Sequence, residues 1–439
     1  VFFNKNKTKR QIWLFGFYLF IALATLAKGI LGFAIPGAII LVYLCISREW
    51  WLLLKVELLR GIGLFLTVAS PWYVSMFTRH HPDFYQRFIV HDHLRRFSSG
   101  VHQTDNGSFE HFIKWLGYGL FPWAGFLPAA LTRITFGKGT VRSDQARARL
   151  FLTIWFVFCF TFFTLSKTKF HHYIFPCVPA ATMLIGLFLQ DLLSKRVRNF
   201  TPIYLVAVSL FVLIGFDLFS EPQNLKNLFT YQYDRMWDTS MTAGFQSVLK
   251  VIFVVGLVGI LLLAFAKPFC RVMALCVLLM SSSGLTVWAL DVYMPNIAID
   301  WSQGYLWSTY YDLCHPIEGP EEAPDWKPYC REPVIAYKLN WRGETFYTHN
   351  EVIPIEDDSD MEYFIRTNND RSFFSIMQRG RVSSFRASLP EALRGGVEQV
   401  HTENLKFILV RVESEADRAE RLGTDTEGDE PEASTTDVD

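Results

Sequence analysis

The chain has 439 residues, 51% of them hydrophobic, 16% aromatic and only 19% charged, and its 42 Lys and Arg balance 42 Asp and Glu. With a net charge of zero and no soluble basic stripe, the composition gives no support to a nucleic-acid partner. The apolar residues gather into runs of the ~20 residues needed to cross about 30 Å of hydrocarbon, which excludes an ordinary soluble protein.

In chain order, nine spans are expected near residues 11–27, 30–46, 61–77, 111–133, 150–166, 172–190, 201–219, 248–266 and 272–292. Lys and Arg crowd the short connections around 5–10, 48–60, 133–149, 195–198 and 267–271, so these lie inside. The turn at 28–29, the loops at 78–110, 166–172 and 220–246, and everything after 293 then lie outside. The segment 49–59 (EWWLLLKVELL) is amphipathic and is expected along the inner interface. Segments 82–97 and 222–237 are expected along the outer one.

A small extracytoplasmic α/β domain is expected over 295–412, because strand-like runs at 333–339, 351–356, 372–378 and 406–412 alternate with helical ones at 358–367 and 382–393. Asp358 or Ser359 is the expected cap of the first of these helices. Residues 1–294 form the membrane region, and the acidic segment 413–439 is expected to be disordered. Cys45, Cys159, Cys177, Cys270 and Cys276 fall in or beside apolar runs and read as small buried hydrophobes. Cys314 and Cys330 flank a Pro- and Glu-rich loop and could pair if that part is extracytoplasmic.

Three outer clusters carry unusual polar residues at span ends. Lys28, beside Gly29 and Gly32, is either an interfacial lysine that snorkels or a phosphate ligand, for which a compact ammonium is suited. The second cluster holds His91, Asp92, His93, Arg95, Arg96 and Phe97. Its readings are polar packing at the membrane surface, a divalent metal held by His91 and His93, or substrate contact through Arg95 or Arg96. The third, in LSKTKFHHYIFPCVPA (165–180), holds Lys167, Lys169, His171, His172 and Tyr173. It is either a solvated hairpin or a place that holds an anion. No Gly-rich nucleotide loop, zinc module or G-x-S-x-G elbow is present.

Taken together and in order, LAKGILGFAIPG (26–37), ASPWYVSMF (69–77), HPDFYQRFIVHDHLRRF (81–97), LFPWAGFLP (120–128) and SKTKFHHYIFPCVPA (166–180) resemble the protein O-mannosyltransferase and aminoarabinose (lipid A) transferase superfamily. These are integral membrane glycosyltransferases of the C-type fold. The resemblance is best over about 15–190. It implies a polyprenyl-phosphate sugar donor, a lipid, protein or glycan acceptor, and a bacterial inner membrane location with the C-terminal domain periplasmic. It places Lys28, Lys169 and Tyr173 near the carrier phosphate, with Arg96 and Phe97 as the outer-loop pair, and puts His91 and His93 where some relatives bind metal. The family's acidic catalytic loop precedes the matched region. The catalytic base is therefore expected upstream of Val1, and the chain alone is expected to be inactive. The alternative is a non-enzymatic membrane scaffold or lipid-binding subunit; the lack of mid-span acids and inverted repeats weighs against a transporter.

Overall fold

The computed structural model describes residues 6–95, 98, 110–133, 143–167, 169–194, 201–220, 243–265, 270–317, 329–368 and 371–419. The chain divides into two units, one of Val1–Tyr231 with Phe245–Leu285, the other of Gln232–Gly244 with Thr286–Asp439.

The first unit is helical. α1 (Lys7–Lys28) begins where the Asn6 side chain accepts the Lys9 amide, and it packs on α2 (Leu31–Ser47) and α3 (Leu58–His80). α4 (Glu110–Gly119) and α5 (Leu127–Leu131) are short. α6 (Asp144–Leu165), capped by Ser143, packs on α2 and on α7 (Val178–Leu193). α8 (Thr201–Ser220), α9 (Ala243–Phe265) and α10 (Cys270–Trp288) complete the set. Six helical stretches among the described residues are long and apolar enough to cross a membrane, and Leu31–Ser47 and Pro202–Asp217 are shorter apolar helices. Large apolar side chains such as Phe20, Leu59 and Phe265 stand exposed on them, as lipid-facing residues do. The fold is that of a polytopic α-helical membrane protein.

One expected span is broken. Residues 111–133 divide into α4, a 3₁₀ turn at Trp123–Phe126 and α5. Pro122 has no N–H to continue a helix. Gly125 lies so close to α8 that a Cβ there would stand 2.5 Å from the Ala207 carbonyl oxygen. The 49–59 segment forms a 3₁₀ helix over Trp50–Lys55 that buries Leu52 and exposes Leu54. Glu49 beside it accepts from the Tyr43 phenol at 2.9 Å and pairs with Arg147 at 2.8 Å. Deeper in the unit, Arg149 pairs with Asp191 at 2.8 Å and donates to the Leu187 carbonyl, tying α6 to α7. The cysteines do not all behave as buried hydrophobes: Cys159 and Cys177 are buried, but Cys45 and Cys276 are exposed on helix surfaces, where a thiol in lipid needs no shelter.

In the second unit, α11 (Met294–Trp301) and α12 (Gly304–Leu313) lead to the short β1 (Pro316–Ile317) and β2 (Tyr329–Cys330), and the Cys314–Cys330 disulfide is formed. β3 (Val334–Tyr337), α13 (Gly343–Tyr347), β4 (Ile353–Ile355), α14 (Asp358–Asn368), β5 (Phe373–Gln378), α15 (Val382–Ser388), α16 (Glu391–Arg394), β6 (Val397–His401) and β7 (Phe407–Val412) follow. The five-stranded sheet runs β4-β3-β5-β7-β6, parallel on the β4, β3 and β5 side and antiparallel through β7 and β6. One face buries Tyr337, Phe364, Phe373 and Phe385; the other buries Trp307, Tyr310, Phe374 and Leu409. The cap of α14 is Asp357, not Asp358 or Ser359: its carboxylate accepts the amides of Ser359 at 2.9 Å and Asp360 at 3.0 Å. Packing continues past 412, since Ser414 is buried and Asp417 accepts from the Ser372 hydroxyl.

Candidate functional site

The candidate site lies where α1 turns into α2. Lys28 ends α1 and is exposed. Gly29 follows at φ 72°, in the left-handed region, and its amide returns to the Thr25 carbonyl at 2.8 Å. A Cβ at Gly29 would overlap the His93 imidazole and stand 2.8 Å from the Phe88 ring. Backbone conformation and close approach therefore both demand glycine there.

His93 arrives from Tyr85–Arg95, a segment that forms a π-helix. The wider turn puts Phe88 and His93, five residues apart, on one face with ring centroids 4.8 Å apart. The Phe88 carbonyl lies 2.6 Å from His93 Nδ1, and the Ile30 amide donates to Nε2 at 3.2 Å. A carbonyl only accepts, so Nδ1 carries the proton and Nε2 accepts. Both ring nitrogens are thus committed, and His93 has no lone pair left for a metal. His91 turns its Nδ1 to Asp92 at 3.1 Å. Among the described residues, no group of three or more His, Cys, Asp or Glu converges as a metal site would require. In this arrangement His93 clamps the Lys28–Gly29 turn. Arg95 ends the segment, exposed; Arg96 and Phe97 lie outside the described residues, as does the 222–237 segment.

α3 supplies the surface beneath this clamp. Tyr73 donates its phenol to the Thr25 carbonyl at 2.8 Å, and Trp72 meets Phe84 and Phe88 edge-on at 5.5 and 6.1 Å. Through Tyr73, the SPWY phrase holds the end of α1.

The second wall is the 166–177 stretch. α6 ends at Leu165, Lys167 is exposed, and half-buried Lys169 folds back to donate to the Ser166 carbonyl at 2.8 Å. Burial lowers the Lys169 pKa below the ordinary lysine value. A 3₁₀ helix then runs over His171–Cys177, fixed to α6 where the Trp155 indole donates to the Pro176 carbonyl at 2.9 Å. The Tyr173 ring lies against Phe163, Phe170 and His172, with centroids 5.8, 5.3 and 4.9 Å away. Lys28 lies within electrostatic reach of His172. The end of α1 therefore lies on the same side of the unit as the stretch that carries Lys169 and Tyr173. Lys28 and Lys167 make no hydrogen bond or ion pair to a described residue.

The sequence reading missed the support from α4. His171 lies against Trp115, centroids 5.6 Å apart, and the Trp115 indole donates to His111 Nε2 at 3.1 Å. The signal was available in EHFIKW: residues four apart share a helix face.

The described residues form a polytopic helical membrane fold that carries cations at the Lys28 turn and in the 166–177 stretch. The proteins it is similar to in sequence and in structure are aminoarabinose transferases. The chain is 29% identical over 175 residues to undecaprenyl phosphate-alpha-4-amino-4-deoxy-L-arabinose arabinosyl transferase 1 of Pseudomonas fluorescens, covering 40% of this chain and 29% of that protein. It is 30% identical over 161 residues to the corresponding transferase of Pseudomonas aeruginosa, covering 37% and 28%. The matched region thus spans under a third of these relatives' length. ArnT from Cupriavidus metallidurans, in a crystal structure bound to undecaprenyl phosphate, superposes with a TM-score of 0.65 at 19% identity, covering 93% of this chain and 70% of that one. No family model matches the chain.

Proposed function

We propose that the protein is a glycosyltransferase, or the greater part of one, that moves a sugar from a polyprenyl-phosphate donor to an acceptor at the outer face of the bacterial inner membrane, with its second unit in the periplasm. What supports this reading is that the Lys28 turn lies within electrostatic reach of the Lys169–Tyr173 stretch. It supplies cations and a phenol, held by a rigid aromatic frame, beside apolar spans that suit a polyprenyl tail. Undecaprenyl phosphate-linked aminoarabinose, named for the relatives, is the donor we favour, and lipid A the acceptor.

In this reading an acceptor oxygen attacks the anomeric carbon, the bond to the phosphate oxygen breaks, and polyprenyl phosphate leaves with the electron pair. Lys28 and Lys169 stabilise the charge that gathers on that phosphate. Lys28 supplies a compact, solvated charge; Lys169 supplies one partly desolvated, where each unit of charge acts more strongly. Charged lysines cannot take the acceptor proton. It goes to a general base, which the resemblance puts in the acidic loop preceding the matched region.

The test is to express the protein from its own gene in a bacterium lacking aminoarabinose transfer but making the donor, and to weigh extracted lipid A by mass spectrometry. The expected result is lipid A heavier by one aminoarabinose unit, lost in Lys169→Met. Unmodified lipid A from cells that hold both protein and donor overturns the assignment.

A further inference from the structure

The second unit contains a cleft of its own. Its volume is about 360 Å³, within the ~300–1,000 Å³ of small-molecule sites. Ser302, Tyr305, Ser308, Tyr311 and Tyr347 line it, with Ala298 and the backbone at Gly304. None of the lining side chains is charged.

The walls are fixed by a polar network. Ser302 Oγ and the Tyr347 phenol lie 2.8 Å apart, the Gly304 amide donates to Ser302 Oγ at 3.0 Å, and Tyr311 donates to the Tyr347 carbonyl at 3.2 Å. Behind them, Gln303 is buried, donates to Glu344 at 2.9 Å and accepts from the Trp307 indole at 3.2 Å. A Cβ on Gly304 would meet the Tyr347 phenol oxygen at 3.1 Å, so that glycine lets the phenol close over the helix start.

Two groups at the mouth are left to act outward. Tyr305 is 53% exposed, Ser308 is exposed, and neither side chain bonds to a described residue. The cleft thus offers aromatic faces, hydroxyls and no charge. Phosphate binding needs cations or convergent N–H groups, which the lining side chains lack. A sugar ring has a C–H face that packs on an aromatic ring and a rim of hydroxyls that pair with phenols and serines. The chain reaches this cleft directly from its last candidate span, Cys270–Ile299, whose Ala298 lies in the wall. The cleft is therefore contiguous in sequence with a candidate span.

We propose that this cleft is a saccharide subsite for a neutral hexopyranose unit of a membrane-anchored glycan. That the glycan is the acceptor of sugar transfer rests on the function proposed above; binding of the sugar ring does not.

Saturation-transfer NMR on the full chain in lipid nanodiscs, free of glycosidic detergent, tests this. The probes are methyl glucoside, methyl galactoside and methyl N-acetylglucosaminide, with glucose 6-phosphate and a proline-rich decapeptide for comparison. No donor is present, so the result stands apart from transferase activity; undecaprenyl phosphate binding is read on the same samples. The expected result is saturable transfer to the C–H face of at least one neutral glycoside, weakened about tenfold by Tyr305→Ala. Tyr305→Phe should retain it, and Tyr363→Ala, at an exposed ring outside the cleft, should leave it unchanged. Saturable binding of no neutral glycoside, of the decapeptide alone, or of glycosides equally by Tyr305→Ala overturns the proposal.

Discussion

Lys28 and Lys169 belong to the same end of the helical unit, yet they are held in opposite ways. Lys28 is exposed and unbonded, but the backbone beneath it is fixed by Gly29, His93 and Tyr73. Lys169 is half-buried and one of its three ammonium N–H groups donates to the Ser166 carbonyl, while the 3₁₀ helix after it rests on an aromatic sleeve. In one turn the protein positions the backbone and leaves the charge to water. In the other it positions the charge itself and accepts its desolvation. The same ion therefore acts differently in the two places: solvent and salt screen Lys28, and much less so Lys169.

The largest effect should come from the backbone of the first turn. Gly29→Ala adds a left-handed non-glycine residue and a clash with His93, and should destabilise the unit by about 2–4 kcal/mol, read as a lower unfolding midpoint in nanodiscs. A variant as stable as the parent would break the contrast, because the turn would then not be fixed by its backbone. Next, Lys169→Met should weaken undecaprenyl phosphate binding by about 10–100-fold, as loss of a charge-assisted bond does. His93→Ala removes the acceptor of the Ile30 amide and should cost about 1–2 kcal/mol, with metal addition or chelation making no difference to the parent protein. Lys28→Met should weaken donor binding only about three- to tenfold, and the loss should shrink in high salt. Equal salt sensitivity for the two lysine variants would erase the distinction.

The smallest effect is on pH dependence. Lys169 has its pKa lowered by burial in the free protein, and a bound phosphate favours the charged form. Affinity should therefore be full while Lys169 is charged and decline as pH rises through its depressed pKa, below the ordinary lysine value. Lys169→Arg, which stays charged, should move that decline upward in a titration of donor binding.

Much of this was legible where one residue's chemistry decided its place. Cations at span ends, Pro176 and Pro179 after a polar stretch, and the alternation in PVIAYKL and SFFSIMQ each pointed to what formed. What was not legible depended on tertiary partners. β6 was missed because an edge strand with exposed Glu398 and Gln399 carries little apolar signal. The break between α4 and α5 was hidden by continuous hydropathy, although Pro122 and Gly125 marked it. The clamp by His93 could not be read from spacing, because it needs a π-helical turn and the amide of Ile30, distant in sequence.

The central claim is that the two turns jointly hold the donor's phosphate. Native mass spectrometry of the protein with added undecaprenyl phosphate tests it most directly, comparing the parent with Lys28→Met, Lys169→Met and the double variant. The account predicts retained lipid in the parent, a small loss for Lys28→Met, a large one for Lys169→Met, and none retained by the double variant. Retention by the double variant equal to that of the parent would contradict it.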